Sequence, residues 1–369
     1  MTFSSTDERL MRRALALAER GLWTTQPNPR VGCVIAHGDA IVGEGWHVRA
    51  GEPHAEVFAL RAAGERARGA TAYVTLEPCA HHGRTPPCAD ALIAAGVARV
   101  VAAIGDPNPR VNGGGLARMA EAGIEVACGL LREEARALNE GFFSRMQRGR
   151  PWVRLKIAAS LDGRIALASG ESKWITGPEA RADVQSWRAR SSAIMTGIGT
   201  VLADDPHLTA RVEGDVIAPL RVILDARLRT PASAHVLDGA APTVLVHALG
   251  NEPADARFDR VERLAIDAEE GFVDLPAVLA ELAAREVNEL QVEAGPCLTG
   301  SMLRQGLVDE LLLYVAPRLL GDSARPMAVL PEPPSLREAG AMTLVEHVAC
   351  GPDVRLRLLT GNRDVHGNR

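Results

Sequence analysis

His54-Ala55-Glu56 opens a helix-patterned run, and Thr75-Leu76-Glu77-Pro78-Cys79-Ala80-His81-His82-Gly83-Arg84-Thr85-Pro86-Pro87-Cys88 follows the next apolar stretch. One imidazole and two thiolates make a soft ligand set suited to zinc. Three protein ligands leave the fourth tetrahedral position to water, the pattern of a catalytic rather than a structural site. Zinc held by His54, Cys79 and Cys88 would lower the pKa of that water towards ~7. Glu56, two residues beyond His54 on a helix, points away from it and need not share the metal. It is placed to shuttle a proton from the water to a leaving amine. This is the logic of the zinc nucleobase deaminases, whose pattern is His-x-Glu with a later Pro-Cys-x-x-Cys. The chain departs from that pattern in one respect, because eight residues separate Cys79 from Cys88. A compact loop stiffened by Gly83, Pro86 and Pro87 is expected to bring both thiolates to one ion, with His81, His82 and Arg84 available to a phosphate. Each element alone has a bland reading, as a chance His-x-Glu or as buried thiols. Their combination, with helix and strand between them, carries the inference.

Outward from this stretch, the pattern is α/β. A helix is expected over 7–20, with Asp7 as cap and Gly21 as stop. Strands 31–35 and 41–46 form a hairpin through His37-Gly38-Asp39. Helices over 55–66, 89–95, 116–121 and 133–146 then alternate with strands 72–76, 100–104 and 124–128, which implies βαβ units and a sheet covered by helices. Gln147-Arg148-Gly149-Arg150-Pro151 breaks the pattern and reads as a linker, giving domains 1–147 and 148–369. Beyond it, strands over 153–159, 193–197, 220–224, 243–247, 289–293 and 311–315 alternate again with helices over 178–189 and 275–286.

A chain of 369 residues suits two such domains. Aromatic residues make up 4%, so the core must be built from Ala, Val, Leu and Ile. The net charge of −5 comes without any basic block, which argues against a grip on long nucleic acid. The polar start Met1–Glu8 lacks the pattern of a signal peptide, and no apolar run reaches the length of a membrane span. Six cysteines in such a chain suggest a reducing compartment, and the cytoplasm is the expected location. Cys33, Cys128 and Cys350 read as core or edge residues.

The second half contains no Gly-x-Gly-x-x-Gly fingerprint. Instead, Glu293-Ala294-Gly295-Pro296-Cys297-Leu298-Thr299-Gly300-Ser301 joins an apolar strand to a helix. Glycine there permits a tight turn, and amides at a helix N-terminus bind phosphate.

The run 75–88, together with Pro27-Asn28-Pro29-Arg30-Val31-Gly32, resembles the deaminase half of the bifunctional riboflavin-biosynthesis deaminase/reductases, in which the long insert between the cysteines is usual. The runs 156–164, 172–176, 199–211 and 293–301 resemble the reductase half of the same family. The resemblance implies a cytidine-deaminase-like α/β/α domain followed by a dihydrofolate-reductase-like α/β domain. It implies one zinc per chain, NADPH, and a phosphorylated pyrimidine as small-molecule substrate, with neither nucleic acid nor membrane as partner. A homo-oligomer, dimer or tetramer, is expected. By the family pattern, Ala158, Trp174, Thr200, Asp204 and the Gly295–Ser301 turn line the NADPH site, while Ser172, Arg188, Leu208, Arg211 and Glu293 line the substrate site. Arg188 and Arg211 are expected to hold a phosphate by forked bonds. Lys156 reads either as proton donor or ribose ligand, or as a plain strand-end charge. Ala226 stands where relatives often carry a hydroxyl residue, so a cofactor contact there is expected from backbone. Pro296 removes one amide from the phosphate turn. Two other readings stay open from the residues: a nucleoside or tRNA deaminase with an unrelated partner domain, and a zinc-stabilised binding module whose fourth ligand comes from protein.

Overall fold

The structure, a computed structural model, describes residues 3–80, 87–109, 111–250 and 255–361. The insert residues 81–86, and with them the expected phosphate contacts of His81, His82 and Arg84, lie outside the described residues. The chain forms two compact units, Met1–Gly149 and Arg150–Arg369.

In the first unit α1 (Ser5–Glu19) buries Leu10, Met11, Ala14, Leu17 and Ala18 at helical spacing. Ser4 rather than Asp7 caps it. Asp7 sits one turn in and completes a capping box, its carboxylate accepting from the Ser4 amide at 2.9 Å. The Asp7 side chain is also drawn inward, where it accepts from the Tyr73 hydroxyl and the Arg99 guanidinium. The hairpin of β1 (Gly32–His37) and β2 (Ala40–Trp46) is followed by α2 (Ala55–Ala63), β3 (Thr71–Val74), α3 (Cys88–Ala95), β4 (Arg99–Ala102), α4 (Gly114–Glu121), β5 (Glu125–Cys128), α5 (Arg132–Leu138) and α6 (Glu140–Arg148). The sheet order is β2-β1-β3-β4-β5, antiparallel across the hairpin and its junction with β3, then parallel. A core of small side chains lets helix and strand backbones approach closely. A Cβ on Gly45 would stand 2.4 Å from the Ala55 carbonyl oxygen, so glycine in β2 fixes how near the N-terminus of α2 lies to the sheet. The single helix expected over 133–146 is broken at Asn139. Its side-chain amide leaves the helix path to exchange two hydrogen bonds with the Arg30 backbone, at 2.8 and 2.9 Å.

The second unit contains β6 (Trp152–Ser160), β7 (Arg164–Ala166), α7 (Pro178–Arg190), β8 (Ala193–Gly197), α8 (Ile198–Asp204), β9 (Leu220–Leu224), β10 (Thr243–Ala248) and β11 (Glu262–Ile266). Then follow β12 (Ala268–Glu269), β13 (Phe272–Val273), α9 (Leu275–Ala284), β14 (Glu289–Val292), α10 (Pro296–Arg304), β15 (Glu310–Ala316), β16 (Arg325–Pro326), β17 (Met342–Cys350) and β18 (Asp353–Thr360). The main sheet runs β11-β10-β9-β8-β14-β6-β15-β18-β17, parallel from β11 to β15 and antiparallel at β18 and β17. The short ladders β12-β13 and β7-β16 stand apart from it. α8 follows β8 and α10 follows β14, and the carboxyl ends of the parallel strands are the natural place for a ligand crevice.

Candidate functional site

Three segments converge in the first unit. His54 is the N-cap of α2, Cys79 lies in the loop after β3, and Cys88 begins α3. His54 Nδ1 stands 3.7 Å from Cys79 Sγ and 3.3 Å from Cys88 Sγ, and the three ligand atoms all lie within 4.8 Å of one another. Metal–ligand lengths of about 2.3 Å to sulfur and about 2.1 Å to nitrogen set a tetrahedral edge of roughly 3.6 Å. The two edges from His54 therefore match those a zinc ion requires. Among the described residues no fourth His, Cys, Asp or Glu joins the cluster. The Cys88 hydrogen bond, then His54, holds the Cys79 thiol well below its ordinary value, while Cys88 is raised in return. Glu56 is 3% exposed, and its Oε2 has no hydrogen-bond partner. Burial pushes its carboxyl above the ordinary range against the pull of His54. A buried, unsatisfied carboxylate oxygen beside an open metal position is costly unless something fills the gap.

Two supports were not visible in the sequence. Glu77, two residues before Cys79, turns its carboxylate inward to accept four backbone amides, those of Asp106, Gly113, Gly115 and Leu116, at 3.0–3.3 Å. These fasten the loop before α4 to the segment that carries Cys79. The fit is close enough that a Cβ on Gly115 would lie 1.8 Å from the Pro78 carbonyl oxygen. The second support is His47, which is buried, with its value lowered to about 4 by that burial. Its Nδ1 faces the Pro53 carbonyl at 3.1 Å and can only donate there, so Nε2 accepts from the Asn28 amide at 3.0 Å. His47 thus ties the residue before His54 to the Pro27–Pro29 loop.

In the second unit a cleft of about 1480 Å³ opens at the carboxyl ends of β6, β8, β9 and β14. Ala158, Ser172, Trp174, Arg188, Thr200, Asp204, Leu208, Arg211 and Glu293 all line it, as do Gly295, Pro296, Cys297, Leu298 and Ser301. Thr299 and Gly300 do not. Thr299 is fully buried and its amide is spent on the Gly295 carbonyl, and a Cβ on Gly300 would meet the Val329 carbonyl at 2.0 Å. With proline at the first helical position, the free amides at this helix start belong to Cys297 and Leu298. Two exposed helix amides under a glycine turn, beside an apolar wall from Leu224, Leu275 and Leu298, fit a dinucleotide pyrophosphate.

Arg188 departs from expectation. Its fork is closed on Glu293, Nε to Oε1 at 2.6 Å and Nη2 to Oε2 at 2.8 Å, and Nη1 donates to the Thr209 carbonyl. It therefore has no fork left for a phosphate. Arg211 has no carboxylate partner among the described residues and lines the cleft with only a long 3.5 Å bond from Nη1 to the Thr209 hydroxyl, its value lowered by burial and by the charge of Arg188. Burial raises Glu293, but Arg188 outweighs this and brings it down to about 2. Lys156, on the same strand face as Ala158, is lowered by burial against the pull of Glu293. Gln291 completes the group by donating to Glu293 at 2.8 Å.

The comparisons agree with this division. Residues 4–104 match the family model described as the cytidine and deoxycytidylate deaminase zinc-binding region, and residues 151–356 match the RibD C-terminal domain. The chain is 50% identical to the riboflavin biosynthesis protein RibD of Escherichia coli over 96% of its own length and 99% of that protein's. It is 48% identical to the same protein of Haemophilus influenzae, covering 96% and 98%. Among solved structures, Acinetobacter baumannii RibD superposes with a TM-score of 0.91 at 47% identity, covering 97% of this chain and 99% of that one. A Thermotoga maritima diaminohydroxyphosphoribosylaminopyrimidine deaminase/5-amino-6-(5-phosphoribosylamino)uracil reductase gives 0.87 at 32% identity, covering 96% and 99%. The expected cytidine-deaminase-like and dihydrofolate-reductase-like architectures are both present. Matched in both halves over nearly its whole length, the chain belongs to the RibD family of bifunctional riboflavin-biosynthesis proteins.

Proposed function

We propose that the chain catalyses two consecutive steps of riboflavin biosynthesis. The first is hydrolytic deamination of 2,5-diamino-6-(5-phosphoribosylamino)pyrimidin-4-one. The second is NADPH-dependent reduction of the ribosyl chain, giving 5-amino-6-(5-phosphoribitylamino)uracil. The observation that carries this reading is the triangle of His54, Cys79 and Cys88 with the unsatisfied Glu56 oxygen beside it.

His54, Cys79 and Cys88 would hold zinc, a Lewis acid that makes water nucleophilic near neutral pH. Glu56 takes one proton from the attacking water to the ring nitrogen and then carries the second from the resulting hydroxyl to the departing amine, so that ammonia leaves and a carbonyl remains. Glu77 and His47 hold the ligand-bearing segments in register. In the cleft, Cys297, Leu298 and the Gly295 turn would hold the pyrophosphate of NADPH, a cofactor that supplies hydride when bound. The ring oxygen released from the ribosyl carbon needs a proton, which Lys156, half-buried in the cleft, would give. The Arg188–Glu293 pair orients the polar floor on which Lys156 acts, and Arg211 binds the substrate phosphate. Trp174, Thr200, Asp204 and Ala158 belong to the cofactor side of this arrangement, and Ser172 and Leu208 to the substrate side.

The reading extends to a domain boundary at 147/148, a cytoplasmic location and a homo-oligomer. All six cysteines are free, in keeping with a reducing compartment, and no helix among the described residues is long and apolar enough to cross a membrane. Incubating pure zinc-loaded protein with the diaminopyrimidine ribosyl phosphate tests the proposal. Ammonia is expected with or without NADPH, and NADPH oxidation is expected to follow. Zinc-loaded protein that releases no ammonia would overturn the deaminase half.

A further inference from the structure

Along the sheet of the second unit, the carboxyl ends of β6, β14, β8 and β9 stand in that order. Lys156 and Glu293 mark the reacting end at β6 and β14, and the helix start at Gly295–Leu298 follows β14. At about 4.8 Å per strand, the end of β9 lies roughly 14 Å across the sheet from β6. A dinucleotide with its reactive ring at Lys156 and its pyrophosphate at α10 must therefore extend its adenosine half towards β9.

There the chain turns sharply through 225–230. Asp225 is fully buried and accepts from both the amide and the hydroxyl of Thr230, at 2.8 and 2.7 Å, and Leu228 is buried with φ +51°. Arg257, itself paired with Asp255, donates to the Thr230 and Leu228 carbonyls and locks the turn from behind. Arg227 and Arg229 flank the buried Leu228 on this rigid turn, and both side chains line the cleft. Neither makes a hydrogen bond or ion pair among the described residues, although Glu270 lines the same part of the cleft. Arg304 is engaged with the Val329 carbonyl, and Arg325 rests against Gly170 on the side of Ser172 and Trp174.

We propose that Arg227 and Arg229 form the subsite for the 2′-phosphate of the cofactor's adenosine, and so set the preference for NADPH over NADH. The proposal rests on the reductase reading above. Ala226 offers no side-chain hydroxyl at this strand end, so recognition of the extra phosphate falls to the two guanidinium groups. Two unpaired, fork-shaped donors on a pre-set turn suit a phosphate dianion.

The test is equilibrium binding to the full-length protein of NADPH, NADH, 2′,5′-ADP, 5′-AMP and ribose 5-phosphate. Wild type should bind NADPH and 2′,5′-ADP more tightly than NADH and 5′-AMP. Arg227→Ala or Arg229→Ala should each weaken NADPH and 2′,5′-ADP about 10-fold, and the double variant about 100-fold, as expected for loss of charge-assisted bonds. Affinities for NADH and 5′-AMP should change by less than about threefold. Because both side chains are exposed, the thermal transitions should stay in place. Equal losses for NADPH and NADH, or none, would overturn the subsite. So would losses confined to ribose 5-phosphate, which would give these arginines to the substrate phosphate. Wild-type protein that binds neither dinucleotide would overturn the reductase reading, and this inference with it.

Discussion

Glu77→Gln should destabilise the first unit although Glu77 touches no metal ligand. The wild-type carboxylate accepts two amides on each oxygen: Gly115 and Leu116 on Oε1, Asp106 and Gly113 on Oε2. Glutamine keeps one carbonyl oxygen and turns an NH2 group towards two N–H donors in a buried setting. Two charge-assisted bonds are lost and two amides are left without acceptors. Charge-assisted bonds are worth about 1.5–3 kcal/mol each, and side-chain relaxation recovers part of that, so a loss of about 3 kcal/mol is expected. For a unit of this size, about 2–4 °C is lost per kcal/mol, giving a fall in Tm of roughly 6–12 °C. The assay is calorimetry of the full chain, with the first unit's transition assigned as the one that moves when zinc is chelated. The same variant should release zinc more readily, because the segment bearing Cys79 is no longer anchored to the loop before α4. A Glu77→Gln transition within about 2 °C of wild type, with zinc retention unchanged, would refute the anchoring role.

Cys88→Ala should reduce zinc content measured by metal analysis to well below one per chain, and unchanged zinc would remove Cys88 from the ligand set. Arg211→Ala should raise KM for the phosphorylated substrate of the reductase about 10- to 100-fold with little change in kcat and none in ammonia release. A fall in kcat alone would place Arg211 elsewhere. Arg154 is fully buried between Glu289 and Glu310, which keep Arg190 and Arg357 as second partners, so Arg154→Met should cost about 1.5–3 kcal/mol in denaturant unfolding of the second unit through the charge-assisted bonds it removes. The pair also sets an acid response. Burial raises Glu310, but Arg154 and then Arg357 bring it down to about 2, below its ordinary 4.5. A folded value below the unfolded one gives stability that is full above about pH 4.5 and is lost as pH falls towards about 2. Arg154→Met should move that loss to higher pH, and an unchanged acid limb would contradict it.

What the sequence disclosed follows from how local each signal is. The candidate zinc ligands sit at two helix starts and in the loop after β3, and the strand pattern of the parallel core is written in continuous apolar runs such as 193–197 and 220–224, whose bounds the structure reproduces. The hidden features depend on partners far along the chain. Glu77 bonds to amides 29–39 residues away, and Arg188 closes on a carboxylate 105 residues away, so neither pairing leaves a local trace. The helix break at Asn139 answers a backbone site at Arg30. The hairpin of β17 and β18 escaped notice because its strands mix charged and apolar residues and leave Leu344, Val345 and Val354 exposed, blurring the alternation that marks a strand. Thr299 and Gly300 matched a binding run by position but face the core, a distinction that motif spacing does not make.

A zinc held by His54, Cys79 and Cys88 is proposed to work with Glu56 as proton carrier at a site separate from the reductase. Glu56→Gln tests it most directly, since an amide of the same shape cannot carry the proton. Zinc content, ammonia release and NADPH oxidation with the deaminated intermediate supplied are measured on one preparation. About one zinc per chain is expected, with deamination reduced about 10²–10⁴-fold and reduction unchanged. Deamination within a few-fold of wild type, or both activities falling together with zinc retained, would contradict it.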